Sequence, residues 1–361
     1  MTLIPGDGTG PEVTEAARLV LDATGFELDW EIHQVGLAAT DSTTGLPEEV
    51  LQSIRSNGVA LKGPVTTTKV RRGPKSVNVA LRRALDLYAQ VRPCRSRMGI
   101  RTPFEDVNIA VIRDTTEDLY GGVEFDAGDD DTASLIDVIN RSGRGTIAAG
   151  SAIGVKPISE AASGRLMAFA IDYARTHGYP RVTVVHKASA MRATDGLFLE
   201  AARHVAEGVT DLQVDDMLVD STCAALVRRP EEFGVLATLN LYGDILSDLT
   251  AALVGGVGIA PGANYGPDAA VFEAAHGSAP KYAGLGKVNP MAMILSGALL
   301  LRHLGATDAA AWVEGAVDDV VAGGRTLTYD LERTPPDLPP ATTEAVAQAV
   351  ADVVRARRET A

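Results

Sequence analysis

Leu239-Asn240-Leu241-Tyr242-Gly243-Asp244-Ile245-Leu246-Ser247-Asp248 sets two carboxylates at i and i+4, among the apolar residues Ile245, Leu246 and Leu249. That spacing predicts a helix with Asp244 and Asp248 on one face. Two adjacent carboxylates repel unless a cation sits between them, and hard divalent ions such as Mg²⁺ or Mn²⁺ take oxygen ligands of this kind. An exposed acidic helix start, favoured by the helix dipole, would look the same taken alone. The flanks shift the balance. Val235 to Leu239 reads as a buried strand, and Leu253 to Asn264 is an apolar, glycine-rich run without charge. Such a run implies backbone packed at close quarters rather than open surface.

Outward from this junction, the chain reads as alternating strands and helices. Thr2-Leu3-Ile4 is a short buried strand ending at Pro5-Gly6-Asp7-Gly8-Thr9-Gly10. A helix follows, with Pro11 in its first turn and Val13, Ala16, Ala17, Val20 and Leu21 on one face; Gly25 ends it. Phe26, Leu28, Trp30 and Ile32 alternate with polar residues and predict a strand with one buried face. The glycines at 6, 8 and 10 lack the G-x-G-x-x-G spacing of a dinucleotide fingerprint. They read as a tight turn, with a nucleotide contact there left open.

Two stretches carry cations. Lys69, Arg71, Arg72 and Lys75 precede Ser76-Val77-Asn78-Val79-Ala80-Leu81-Arg82, a helix pattern opened by Ser76. A helix start flanked by cations and hydroxyls suits an anion. Arg92 and Arg113 lie beside the strand-like runs Leu87 to Val91 and Val107 to Ile112. Residues 113 to 150, with an acidic run at Asp129 to Asp131 and a glycine-rich end, read as a small β arm. Beyond it come a helix after Ser159 closed by Gly178, a strand Val182 to Val185 delivering His186 and Lys187, and Leu218-Val219-Asp220 ending another strand. Further on are a strand-to-loop junction at Val271 to Pro280, a buried helix from Pro290 to Leu304 and an amphipathic tail helix from Thr342 to Arg358.

Composition narrows the function classes. The 361 residues allow two domains of ordinary size, and 46% hydrophobic with 22% charged residues describe a soluble globular protein. A net charge of −14 argues against nucleic acid or an acidic membrane as partner, though a local cationic pocket still admits small anions. Two cysteines, Cys94 and Cys223, make no disulfide framework, which favours a reducing, cytoplasmic compartment. The Met1 to Gly6 start has no basic region or apolar core, so no signal peptide is expected.

Ile4-Pro5-Gly6-Asp7-Gly8, Lys62-Gly63-Pro64, Leu241 to Asp248 and His276-Gly277-Ser278-Ala279-Pro280 together resemble the β-decarboxylating dehydrogenases, the isocitrate and isopropylmalate dehydrogenase family. Ser76-x-Asn78-x-x-x-Arg82 is similar to the isocitrate branch. The resemblance covers nearly the whole chain. It implies an α/β fold of the isopropylmalate/isocitrate dehydrogenase kind, not a Rossmann domain. A large domain would be built from 1–87 and 255–361, a small domain from 88–254, and an arm at 118–157 would interlock two subunits. Active sites would be shared across the homodimer.

The reaction implied is oxidative decarboxylation of a 2-hydroxy acid with a β-carboxylate, isocitrate to 2-oxoglutarate, with NADP and Mg²⁺ or Mn²⁺. By the resemblance Asp220, Asp244 and Asp248 are metal ligands, and Arg82, Arg92 and Arg113 clamp carboxylates, a task suited to bidentate guanidinium geometry. Lys187, from the second subunit, assists deprotonation of the hydroxyl, and Tyr120 protonates the enolate; both would need pKa values lowered by cationic surroundings. Ser76 and Asn78 would hold the distal acidic group. In the cofactor loop, His276 and Gly277 lead to Lys281 and Tyr282, and Tyr329 and Arg333 lie further on. A lysine and a tyrosine hydroxyl favour a 2′-phosphate where an acidic residue would repel it. Asn289 would contact the adenine.

Three departures bear on the substrate. Asp114-Thr115 stands where the family usually has Glu-Asn, Ser189 stands where an asparagine follows the lysine, and the substrate loop is more basic. These keep an isocitrate analogue open, such as a phosphonate-bearing malate, with homoisocitrate a further alternative. A regulatory subunit without catalysis is the non-enzyme alternative, although Lys187, Tyr120 and the three aspartates are all retained.

Overall fold

A computed structural model describes residues 1–39, 45–66 and 76–361. The first third holds β1 (Thr2–Ile4), α1 (Gly10–Ala23), β2 (Glu31–Ile32), α2 (Glu48–Asn57), β3 (Val59–Lys62), α3 (Val77–Ala84), β4 (Ala89–Arg95) and β5 (Asn108–Asp114). The middle holds β6 (Glu124–Phe125), α4 (Asp130–Arg141), β7 (Ile153–Gly154), α5 (Glu160–His177), β8 (Arg181–His186), α6 (Thr194–Ala206), β9 (Gln213–Leu218) and α7 (Val219–Leu226). The remainder holds β10 (Val235–Thr238), α8 (Asn240–Leu253), β11 (Pro261–Tyr265), β12 (Ala270–Ala274), α9 (Met291–His303), α10 (Thr307–Gly323) and α11 (Thr343–Thr360).

Ten strands form one sheet in the order β2-β1-β3-β12-β11-β4-β5-β10-β8-β9. The two wings are parallel, while β11 runs antiparallel to both β12 and β4, and β4 antiparallel to β5. An antiparallel centre excludes the all-parallel Rossmann arrangement. β1 to β3, β11 and β12 come from the two ends of the chain and β4, β5 and β8 to β10 from its middle, and the sheet runs on between them through the β4–β11 pair. One core packs α1, α9, α10 and α11 against the first wing; a second joins α5 and α6 to the other wing; a third sits under α2 and α3.

Local sequence accounts for these elements. Ser159 caps α5 by accepting the Ala162 N–H, and Gly178 ends it in the left-handed conformation. α9 is buried nearly all round, as its apolar run requires. Two expectations need correction. The strand expected over Phe26 to Ile32 is only Glu31–Ile32, at the sheet edge, with Ile32 exposed. Leu28 and Trp30 instead pack as irregular chain against the core. The arm is not purely β: its two-stranded pairing, β6 with β7, encloses the 12-residue helix α4. The acidic run Asp129 to Asp131 starts that helix, where carboxylates favour the dipole. No described helix is long and apolar enough to cross a membrane.

Candidate active site

Helix α8 follows β10 directly and buries Tyr242, Leu246 and Leu253, which leaves Asp244, Ile245 and Asp248 on the outward face. Both aspartates meet cations from the antiparallel centre of the sheet. Arg113 of β5 is buried and pairs with Asp244, and its Nε donates to Asn240 Oδ1 at 2.9 Å. Arg92 of β4 donates to Asp248 Oδ1 at 3.2 Å and to Ser247 Oγ at 2.9 Å. Tyr120 donates its hydroxyl to the other Asp244 oxygen at 2.5 Å, with the Arg113 guanidinium 4.8 Å from its ring centre. Gly243 lets α8 approach: a Cβ there would lie 2.5 Å from Arg113 Cβ.

The electrostatics follow from burial and pairing. Burial pushes the Arg113 guanidinium down to about 10, against the pull of Asp244, so it stays charged at neutral pH. Burial would raise Asp244, but Arg113 and the Tyr120 hydroxyl outweigh it and hold the carboxyl below its ordinary value. Tyr120 is a correction: its pKa is raised, first by burial and then by the hydrogen bond to Asp244, with Arg113 only partly opposing. Its phenol is therefore protonated at neutral pH.

Behind this face a polar network crosses the sheet. Arg113 donates to Gln90 Oε1, and Gln90 donates to Asn264 Oδ1. Arg82 of α3 donates to Asn264 at 3.0 Å and to Glu273 at 2.9 Å, and the buried Lys62 ammonium meets Glu273 at 2.6 Å. The three arginines expected as a carboxylate clamp thus all join the one assembly. Ser76 and Asn78 lie at the start of α3, and Asn78 Oδ1 is buried without a partner among the described residues. The basic stretch with Lys69, Arg71, Arg72 and Lys75 lies outside the described residues.

Asp114 accepts the N–H groups of Thr116 and Glu117, and Thr115 donates its hydroxyl to the Leu87 carbonyl. Both are thus engaged in bracing local backbone. The next turn carries Asp118 at φ 70°, a left-handed conformation rare without glycine, held as its carboxylate accepts the Leu241 N–H.

Lys187 and Asp220 form a separate pair. The ammonium meets Asp220 Oδ1 at 2.5 Å, and that hydrogen bond holds Asp220 below its ordinary value. Asp220 lies in the first turn of α7 rather than at the strand end. Among the described residues no three metal-ligating side chains come together, so one chain does not assemble all three aspartates. Sequence reasoning missed Asp195, which is fully buried and braces the Lys187 turn, and Lys156 of the arm, which pairs with it.

The expected cofactor loop runs from β12. Thr9 donates its N–H to the Ser278 carbonyl, and a Cβ on Gly8 would lie 2.2 Å from that oxygen, so the glycine turn packs directly on the loop. Among the described residues His276 Nε2 is buried without a partner, and burial lowers the pKa of the ring, keeping it neutral at neutral pH. Gly277 is exposed beside it. Tyr282 and Tyr329 lie 6.0 Å apart between ring centres. Lys281 stands 4.7 Å and Lys287 4.6 Å from the Tyr282 ring centre, and the Lys281 hydrogen bond lowers the phenol. Lys287 was also missed; its place two residues before Asn289 was the available signal. Asn289 donates to Asp330 and accepts from Met291 N–H. Arg333 does not reach the tyrosine pair: its guanidinium donates to the carbonyls of Leu338, Thr328 and Leu331.

These residues fit the groups expected of them. Asp244 and Asp248 offer hard oxygen donors from one helix face, each held in place by an arginine, which suits Mg²⁺ or Mn²⁺. The unpartnered His276 nitrogen and the Lys281, Lys287 and tyrosine cluster suit a nucleotide.

The isocitrate/isopropylmalate dehydrogenase family model matches residues 1–350. The alpha subunit of mitochondrial isocitrate dehydrogenase [NAD] from Bos taurus is 42% identical over 335 residues, 92% of this chain and 85% of that protein. Catalytic subunit 5 of the Arabidopsis thaliana enzyme is 41% identical over 332 residues, 91% of this chain and 83% of its own. The crystal structure of isocitrate dehydrogenase from Methylococcus capsulatus is 44% identical, covers 98% of both chains and superposes with a TM-score of 0.88. With that match in sequence and fold, the chain belongs to the isocitrate/isopropylmalate dehydrogenase family.

Proposed function

We propose that this enzyme converts isocitrate to 2-oxoglutarate with NADP and Mg²⁺ or Mn²⁺, as a homodimer with shared active sites. The observation that carries the reading is the convergence of Tyr120, Arg113 and Asp244, with Arg92 and Asp248 alongside. A nicotinamide bound at the His276 to Asn289 loop would supply the hydride acceptor for C2, and a divalent cation held by Asp244 and Asp248 would supply charge compensation for the substrate oxygens. Arg82, Arg92 and Arg113 hold the substrate carboxylates. Lys187 Nζ, beside Asp220, handles the C2 hydroxyl proton. Tyr120, kept protonated by burial and by Asp244, returns a proton at C3 after CO₂ leaves.

The dimer reading rests on the separation of Lys187 and Asp220 from Asp244 and Asp248 and on a set of exposed apolar side chains. Leu119, Val123, Val138 and Val155 of the arm, Val227 after α7 and Ile245 of α8 are all exposed. Such a set suits burial by a second copy. NADP rests on the two lysines around Tyr282 and Tyr329, which suit a 2′-phosphate. The mammalian and plant relatives are named for NAD, so the cofactor needs direct comparison.

A second reading, a phosphonate-bearing malate as substrate, is favoured by the cations at 69, 71, 72 and 75. The test is reduced-cofactor formation, followed by absorbance, for isocitrate, homoisocitrate, isopropylmalate and phosphonomethylmalate, each with NADP and NAD. Isocitrate with NADP turning over best is the expected result. Faster turnover of the phosphonate, or a preference for NAD, would overturn the substrate or the cofactor assignment respectively.

A further inference from the structure

The sheet has a second ligand-sized hollow on the face away from the catalytic arginines. A cleft of 760 Å³ lies between α5 on one side and α9 and α10 on the other, floored by β4, β5 and β11. Alternation along the floor strands sets it back to back with the active site. On β4, Gln90 and Arg92 reach the catalytic network while Pro93 and Arg95 line the cleft. On β11, Asn264 joins the network while Pro261 and Tyr265 line the cleft. On β5 the same division separates Arg113 from Asn108.

The lining is aromatic with unspent polar edges. Phe169 stacks on Tyr173 at 6.1 Å and meets Tyr265 at a tilt of 40° at 5.3 Å, and His303 stands 5.9 Å from Tyr265. Among the described residues the hydroxyls of Tyr173 and Tyr265 and the ring nitrogens of His303 have no hydrogen-bond partner; burial alone pushes Tyr265 up to about 12 and lowers His303. Those phenols are donors at neutral pH. The charge is uneven: Arg95 and Arg97, both in the lining, share the single carboxylate of Asp318. Arg302 is matched by Glu314, and Asp172 lies 3.6 Å from Arg175, whose guanidinium also binds Asp211 at 2.8 Å. At the Arg95–Arg97 end two guanidiniums therefore meet one carboxylate, a local excess of positive charge.

We propose that this cleft is a second binding site, for a planar aromatic molecule carrying one anionic group. The rings stack on its plane, the free phenol and imidazole edges meet its polar atoms, and the Arg95–Arg97 end takes the anion. The volume falls within the range of about 300–1,000 Å³ usual for small-molecule sites.

The probe is 1-anilinonaphthalene-8-sulfonate, titrated by fluorescence against the whole protein alone, then with saturating NADP and, separately, with saturating isocitrate. Expected is saturable binding of one probe per chain. Thr176→Trp fills the cleft from an exposed position on α5, should leave isocitrate turnover unchanged and should weaken the probe by about tenfold or more. Arg95→Gln should weaken it by about threefold, as removal of a half-exposed charge does. The uncharged N-phenyl-1-naphthylamine should bind less tightly than the sulfonate. Absence of binding, displacement by NADP or isocitrate, unchanged affinity in both variants, or equal affinity for the uncharged probe would each overturn the proposal.

Discussion

The backbone N–H of Lys187 donates to the fully buried carboxylate of Asp195 at 2.7 Å. The same oxygen accepts the Tyr242 hydroxyl at 3.0 Å, and the other oxygen meets the Lys156 ammonium at 2.5 Å. One carboxylate therefore ties together the Lys187 turn, the start of the Asp244 helix and the arm. Asp195→Asn keeps an acceptor but places an amide NH₂ against one of these donors. A misplacement of about 1 Å at a reacting group costs about a hundredfold, so kcat should fall by about that factor. The KM for NADP should change little, because the cofactor loop makes no contact with Asp195. An Asp195→Asn enzyme that folds as the parent does and keeps its kcat would remove Asp195 from the working site.

Asp195 also marks where sequence reasoning stops. The strand-to-helix junction at Leu239 was legible because apolar periodicity is local, and so were the caps of α5. Lys156 and Tyr242, two of the three partners of Asp195, lie 39 and 47 residues away in the chain, and only the fold brings them together. The arm failed for a different reason. Asp129 to Asp131 resembles a solvated loop, yet the same residues are well suited to a helix N-terminus. Phe26 to Ile32 failed because alternation marks a chain with one face on the core, and irregular chain satisfies that as well as a strand does. The separation of Asp220 from Asp244 and Asp248 has no signature in spacing at all; it depends on how the fold sets α7 and α8.

Tyr120 donates to Asp244, and its phenol is pushed up rather than down. A group of that kind serves as an acid. Tyr120→Phe should lower kcat by about a hundredfold to ten-thousandfold, the usual range for loss of a general acid, with a smaller effect on isocitrate KM. Steady-state kinetics with the keto-acid intermediate supplied directly would separate the proton step from the oxidation. Equal loss in reduction of that intermediate, where protonation at C3 plays no part, would contradict the assignment.

Lys281 and Lys287 both face the Tyr282 ring, and Lys287 also lies 5.8 Å from the Tyr329 ring centre. Lys281→Asp would set a carboxylate where a 2′-phosphate would bind. It should raise the NADP KM by about tenfold or more through loss of a charge-assisted contact and added repulsion, and leave the NAD KM equal or lower. Parallel titrations with the two cofactors read this directly. A variant with the parent's NADP KM would show that these lysines serve only the surface.

Glu273 is the buried hub between Lys62 and Arg82. Burial alone would raise its carboxyl, but the two cations hold it far below the usual carboxylate range. The sign follows: the folded chain binds this proton less readily than the unfolded chain. The stabilisation is therefore complete above the unfolded value of about 4.3 and is lost as pH falls from there toward the folded value. Glu273→Gln leaves the Lys62 ammonium buried without its counter-charge, which costs about 3–5 kcal/mol when a buried pair is broken. Urea unfolding at neutral pH should show that loss, with the gap between parent and variant narrowing as the medium is acidified below pH of about 4. A gap that stays constant across the acid range would mean that Glu273 contributes by packing rather than by charge.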